Sequence, residues 1–192
     1  MIAGKIYTVP FRRKRQGRTN YRKRLKLLVS NRFRFVVRKS LKNFQVAVVE
    51  YSPKGDRVLL AVSSNTLAKL GWNYGGGNLP SAYLTGFLAG KKAIEKGVKE
   101  LILDIGFNNS SKGSGLYAVL AGAADAGLKI PFDKEMLPQK ERLSGEHIAK
   151  YAQALKNEDQ RYKKQFSEYI KKGLNPEGIT ANFNSVKGKM HG

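Results

Sequence analysis

Apolar residues along this chain keep two rhythms, and its first eighteen residues keep neither. Thr19 or Asn20 can cap a helix in which Tyr21, Arg24, Leu25 and Leu28 fall at i, i+3, i+4 and i+7. Arg22, Lys23 and Lys26 lie toward the opposite face. Alternation of β-branched and aromatic residues then predicts strands over 32–38, 44–51 and 57–62. The link Lys39-Ser40-Leu41-Lys42-Asn43 is basic, and Ser52-Pro53-Lys54-Gly55-Asp56 has the chemistry of a turn. Hairpin connections make these strands an antiparallel meander.

The pattern then changes period. Gly75-Gly76-Gly77-Asn78-Leu79-Pro80 leads into a helix with Pro80 in its first turn, where a missing N–H is harmless. Ala82, Gly86, Ala89 or Gly90, Ala93 and Gly97 recur at helical spacing, which predicts a close approach of helix to sheet. Residues 101–105 read as a short buried strand, 113–126 as a second small-residue helix stopped by Gly127, and 128–130 as a further short strand. Helix and strand alternating after a meander predict an α/β fold with a mixed sheet. Ser144 is placed to cap a helix over 145–155. Asn157-Glu158-Asp159-Gln160 has capping-box spacing ahead of a face made by Tyr162, Phe166, Tyr169 and Ile170. Residues 179–192 read as a polar, basic tail. The organisation expected is a basic arm (1–18), an α/β unit (19–137) and a helical extension ending in that tail (138–192).

Charge sharpens the picture. The first 49 residues hold fifteen of the thirty-six Lys/Arg and no carboxylate; Glu50 is the first acid. With a net charge of +22, self-repulsion calls for a polyanionic partner, and release of counter-ions from phosphates is the natural stabilising term. Phe11-Arg12-Arg13-Lys14-Arg15-Gln16-Gly17-Arg18 is either a solvated arm or one that orders on RNA, with Tyr7 and Phe11 available for stacking. The basic helix after it could lie on a membrane, but its apolar face is narrow and strands follow at once, which favours docking on a folded unit. No run of about 18 apolar residues is present, so no membrane span is expected; Met1-Ile2-Ala3-Gly4-Lys5 lacks the apolar stretch of a secretory signal, and Gly4 is not at a myristoylation position. Cysteine is absent, which excludes thiolate metal sites and disulfides and fits a reducing compartment. The expectation is a cytoplasmic protein with no cofactor and no metal.

Enzyme chemistry finds little material. Gly113-Ser114-Gly115-Leu116-Tyr117-Ala118 matches a dinucleotide fingerprint, but that needs its first glycine at the strand end, and here Asn108-Asn109-Ser110-Ser111-Lys112 intervene. Gly86-Phe87-Leu88-Ala89-Gly90-Lys91-Lys92 is too short for a P-loop and has no Ser/Thr after its lysine. His147 and His191 have no evident partners. A metal-dependent nuclease needs converging carboxylates, and the strands offer only Asp104, with Glu50 a distant second. Binding features are richer. Arg38, Lys39, Ser40, Lys42 and Asn43 cluster at one sheet turn. Trp72-Asn73-Tyr74 beside three glycines is either a stacking site with close backbone approach or a buried ring followed by turns. The loop carrying Asn108, Ser110, Ser111 and Lys112 either offers amide, hydroxyl and ammonium donors to riboses and phosphates or is simply solvated.

Long ordered blocks in this sequence resemble one family. Thr19-Asn20-Tyr21-Arg22-Lys23-Arg24-Leu25-Lys26-Leu27-Leu28 and Val36-Val37-Arg38-Lys39-Ser40 begin it. Gly71-Trp72, Gly77-Asn78-Leu79-Pro80-Ser81-Ala82-Tyr83-Leu84-Thr85-Gly86, Leu103-Asp104-Ile105-Gly106 and Gly122-Ala123-Ala124-Asp125-Ala126-Gly127-Leu128-Lys129-Ile130-Pro131 continue it. They are similar to the archaeal and eukaryotic form of large-subunit ribosomal protein eighteen, over about residues 11–150. The resemblance implies a ribonuclease H-like α/β motif without catalysis. It implies binding to 5S rRNA and 23S rRNA in the central protuberance beside neighbouring large-subunit proteins, with no membrane and no homo-oligomer. It maps RNA contacts onto Phe11, Arg12, Arg13, Lys14, Arg15, Arg18 and Thr19 in the arm. Tyr21, Arg22, Lys23, Arg24 and Lys26 in the helix follow, and then Arg38, Lys39 and Ser40 in the turn, joined by Lys42. Leu41 and Asn43 stand where the family usually shows Asn and His, and Phe132 stands where His often follows Ile-Pro. Asn43, Trp72, Asn73, Asn108, Ser110, Ser111 and Lys112 complete the candidate set, and Leu41 is left out of it.

Overall fold

Local capping and turn chemistry organise the N-terminal part of the computed structural model, which describes residues 8–191. Tyr7, one of the candidate stacking rings, lies outside them. Within the arm, Arg12–Arg15 forms a single helical turn (α1), so four like charges share one turn of helix. Tyr21–Leu28 is the expected basic helix (α2), and Asn20 caps it by accepting the Lys23 N–H at 3.1 Å. None of its residues is buried. Asn31, at φ 50, takes the left-handed conformation that turns the chain into the sheet.

Strands Phe33–Lys39 (β1), Phe44–Glu50 (β2) and Arg57–Ser63 (β3) pair as the expected meander. A helix, Leu79–Glu95 (α3), then carries the chain to Leu101–Asp104 (β4), which pairs parallel with β1. The sheet order is β3-β2-β1-β4, so the fold is α/β with a mixed sheet. Asn78 caps α3 by accepting the Ser81 N–H at 2.9 Å, with Pro80 in the first turn. The strand predicted over 128–130 reduces to one parallel bridge, Glu100 to Lys129, because Pro131 follows and ends the pairing.

Alternation sorts the two faces of the sheet. Phe35, Val37, Phe44, Val46, Val48, Leu60 and Val62 are buried and belong to the main core with α3 and the helix Gly115–Asp125 (α4). Gly86, Gly90 and Gly122 serve a helix–helix contact in place of the expected helix–sheet one, while Gly115 at the start of α4 packs against Phe44 of the sheet. A Cβ on Gly86 would lie 1.9 Å from the Val119 carbonyl oxygen, and one on Gly122 would lie 2.1 Å from that of Tyr83. Only glycine permits that crossing. The opposite face of the sheet exposes Gln45, Val58 and Ala61.

The C-terminal part departs most from its sequence pattern. The helix expected over 145–155 is two, Lys140–Ser144 (α5) and Glu146–Ala154 (α6), broken at Gly145 with φ 89. The next is also two, Asp159–Gln165 (α7) and Ser167–Lys171 (α8), interrupted at Phe166. Phe166, Ala152 and Leu155 form a small second core flanked by Tyr162 and Tyr169, while Ile170 is exposed. The expected basic tail is instead the helix Ile179–His191 (α9). Ile179, Phe183, Val186 and Met190 fall on one stripe, and all four are buried in the main core. At roughly 1.5–3 kcal/mol for each large side chain buried, that stripe is a substantial share of a domain's net stability. Lys187 adds a polar latch: it donates to the Tyr83 hydroxyl at 2.7 Å, which donates to Asp125 at 2.6 Å. Burial, then the bond to Asp125, pushes the Tyr83 hydroxyl well above its ordinary pKa, so it stays protonated as a donor.

Candidate nucleic-acid interface

The basic segment folds into three pieces, the arm and α2 ahead of β1 and the turn at its far end. In the arm, Arg12, Arg13, Lys14, Arg15 and Arg18 are all exposed. The Arg13 Nε donates to Thr19 Oγ1 at 2.8 Å, which folds the arm back toward the start of α2. The rings of Phe11 and Tyr21 meet with centroids 5.2 Å apart, and Phe11 keeps 71% of its surface exposed. Arm and helix thus present a pair of aromatic rings among cations, the combination that takes up unstacked bases. Arg22, Lys23 and Lys26 point to solvent from α2.

Arg24 does something else. Its guanidinium gives Asp56 two hydrogen bonds, at 2.7 Å each. Asp56 also accepts from Arg34 at 2.6 Å, and Arg34 reaches Asp104 at 3.2 Å. Arg38 closes the series, donating to the Asp104 carboxylate at 3.2 Å and to its carbonyl oxygen at 2.8 Å. The five charges alternate in sign along β1 from the foot of α2 to the far turn. Arg34 is almost fully buried, so its two carboxylates are the counter-charges a buried guanidinium requires. Hydrogen bonding from Arg24 chiefly, and from Arg34, holds the Asp56 carboxyl below the usual carboxylate range against an opposing effect of burial.

At the other end of β1, the turn between β1 and β2 exposes Lys39, Ser40 and Lys42. Ser40 is engaged in the turn itself: its hydroxyl donates to the Asn43 carbonyl oxygen at 3.0 Å and accepts the Asn43 N–H at 3.1 Å. Asn43 accepts the Ser64 hydroxyl at 3.1 Å through its side chain. Leu41, left out of the candidate set, is the most exposed large apolar residue of the turn, at 99%. Gly106, with φ 62, packs against the Arg38 guanidinium and brings the 106–115 loop to the same end. There Asn108 donates to the Ile105 carbonyl oxygen, Ser110 shares a hydrogen bond with the Tyr117 hydroxyl, and Lys112 lies 3.4 Å from Glu135. Ser111 is exposed.

One candidate is displaced outright. Trp72 is 2% exposed, in the main core, with its indole N–H given to the Gly75 carbonyl oxygen at 3.3 Å. It is no stacking platform for a ligand, because its ring fills space the sheet must close. Asn73 beside it is exposed. Gly76 and Gly77 after it approach the hairpin turn: a Cβ on Gly77 would lie 2.9 Å from the Leu41 carbonyl oxygen.

Sequence reasoning missed Asp56 and the exposed ring of Phe107. Asp56 had a signal: it is the only acid between Glu50 and Glu95 in a strongly basic neighbourhood. Asp104, the leading nuclease candidate, is bound by two guanidiniums. Among the described residues no group of three or more His, Asp or Glu is placed to hold a metal ion, and no helix is long and apolar enough to cross a membrane.

Residues 5–100 match the family model of the ribosomal large-subunit proteins 60S L5 and 50S L18. The match spans half of the chain, and the chain belongs to that family. Its role is therefore structural, in the large ribosomal subunit, and not enzymatic.

Proposed function

We propose that this large-subunit ribosomal protein binds 5S rRNA and tethers it to 23S rRNA in the central protuberance, in the cytoplasm. The observation that carries the reading is the placement of charge. Arm, α2 and hairpin turn direct Arg12, Arg13, Lys14, Arg15, Arg18, Arg22, Lys23, Lys26, Lys39 and Lys42 to solvent, while the acids of this region are spent on Arg24, Arg34 and Arg38. A face of unneutralised cations with two rings at one end suits folded RNA, whose phosphates supply affinity and whose loop bases and 2′-hydroxyls supply selectivity. Arg24 and Arg38 then act mainly as framework, with Arg38 still 45% exposed at its side chain. Ser40 and Asn43 hold the turn that presents Lys39 and Lys42. Asn73, Asn108, Ser110, Ser111 and Lys112 form a polar margin. Neighbouring large-subunit proteins cover other surfaces, and no homo-oligomer is part of this reading.

A competition assay at fixed ionic strength tests it, with 5S rRNA against an unrelated RNA of equal length. The full chain should prefer 5S rRNA. Substitutions of arm cations should weaken both RNAs alike, whereas Tyr21→Ala or Ser40→Ala should erode the preference. Equal affinity of the unmodified chain for both RNAs would leave a general polyanion binder.

A further inference from the structure

The helix at the centre of this face has almost nothing to stand on. No residue of α2 is buried, and Leu25 and Val29 on its outer side are 65% and 76% exposed. Its apolar contact with the sheet is shallow: Leu28 lines an open cleft with Phe33, Glu50 and Tyr51. An isolated eight-residue helix carrying four cations and no acid is unstable in water, by nucleation cost and by like-charge repulsion. Among the described residues, the side-chain hydrogen bonds that tie it to the folded body go to one carboxylate. Asp56 sits at the end of the turn before β3, binds both outer nitrogens of Arg24, and is itself held by Arg34. Arg34 is fixed in turn by Asp104 on β4. A fork-to-fork pair fixes direction as well as distance, so it sets the rotation of the helix about its axis. That rotation decides whether Arg22, Lys23 and Lys26 face outward together.

We infer that Asp56 is a positioning residue for RNA binding: by clamping Arg24 against Arg34 it holds α2 in the orientation that presents its three free cations. The RNA half of this inference rests on the 5S reading; the helix half does not. Its consequence runs against simple electrostatics. Removing a carboxylate from a cationic surface should raise affinity for a polyanion. Loss of the clamp should lower it, because the helix must then be ordered at the moment of binding.

The experiment compares Asp56→Asn with Glu168→Gln in the full chain. Both raise the net charge by one, and Glu168 is exposed on α8, outside the cationic face. In the free protein, amide exchange across α2 should become about tenfold faster or more in Asp56→Asn and stay unchanged in Glu168→Gln. Affinity for 5S rRNA should fall about tenfold in Asp56→Asn and hold or rise slightly in Glu168→Gln. Arg24→Gln carries the same test where Asp56→Asn folds poorly, since it leaves Asp56, Arg34 and Asp104 together. It should weaken 5S binding more than Arg22→Gln, although Arg22 is the more exposed cation. An unprotected α2 in the unmodified chain overturns the inference, as does Asp56→Asn binding as tightly as Glu168→Gln. Absence of any 5S preference in the unmodified chain sinks the 5S reading alone, and the exchange data then decide the clamp.

Discussion

Helices α2 and α9 both carry lysines, and they are held by opposite means. α9 places Ile179, Phe183, Val186 and Met190 in the main core and adds Lys187 as a latch on Tyr83. α2 fully buries no residue and is held by the Arg24–Asp56 pair beside a shallow contact of Leu28. An ion pair this exposed contributes little to global stability, so it tolerates a helix whose remaining face is left entirely to a partner. A core stripe cannot do that, because a helix committed to the interior has no face left to offer. On the proposed reading, the basic helix that is cheap to detach is the one left free to bind RNA.

The comparison breaks first at α9. Phe183→Asp buries an unpaired carboxylate and also removes a core ring, so destabilisation of at least about 3–5 kcal/mol is expected, enough to abolish a cooperative melt. Leu25→Asp on α2 should shift stability by no more than about 0.5 kcal/mol. Thermal melts of the two variants side by side give the answer, and a melt lost in Leu25→Asp would show α2 to be packed after all.

Affinity should respond in the reverse order. If roughly 6–10 phosphates are neutralised, 5S rRNA affinity should fall about 10³–10⁵-fold between 50 and 200 mM salt, by duplex scaling, and less for single-stranded contacts. Deleting residues 1–18 should weaken binding strongly and flatten that salt dependence, with the melt nearly unchanged. A near-flat log–log titration of the full chain contradicts the electrostatic account. Smaller still, Lys23→Gln or Lys26→Gln should each lower the slope by about 0.7–0.9 without a change in the melt.

The smallest effect is a titration. Asp56 is held below the usual carboxylate range by Arg24 first, so its contribution is present above that range and is lost only as pH falls through the depressed value. Carboxyl resonances followed by NMR should show an Asp56 midpoint below about 3.9, moving up toward it in Arg24→Gln. A midpoint indifferent to that substitution would dissolve the clamp.

Much of this was legible in the sequence. Period-two runs such as Phe33, Phe35 and Val37 state which face of a strand is buried, and the turn at 52–56 fixes the antiparallel return. The uncompensated run of cations was legible because charge is local: fifteen cations without an acid need no tertiary information. The glycines of α3 announced a close approach, but only the fold shows that Val119 of α4, and not the sheet, comes near Gly86. α9 was hidden because Thr180, Asn182, Asn184, Ser185 and Gly188 dilute its four-residue stripe to the composition of a tail. Trp72 admitted two readings, since a ring beside glycines fits both a platform and a core, and burial chose the core. The Asp56 clamp spans 32 residues from Arg24, and no short-range pattern encodes such a pair.

One face, built from the arm, α2 and the β1–β2 turn, is proposed to receive 5S rRNA. Photo-crosslinking of the full chain to 5S rRNA, read out by peptide mass, tests it most directly. Crosslinks should fall within residues 11–26, 38–43 and 106–112, and be sparse across α6 to α8. Crosslinks concentrated on α6 to α8, with the arm and α2 unmarked, would contradict the account.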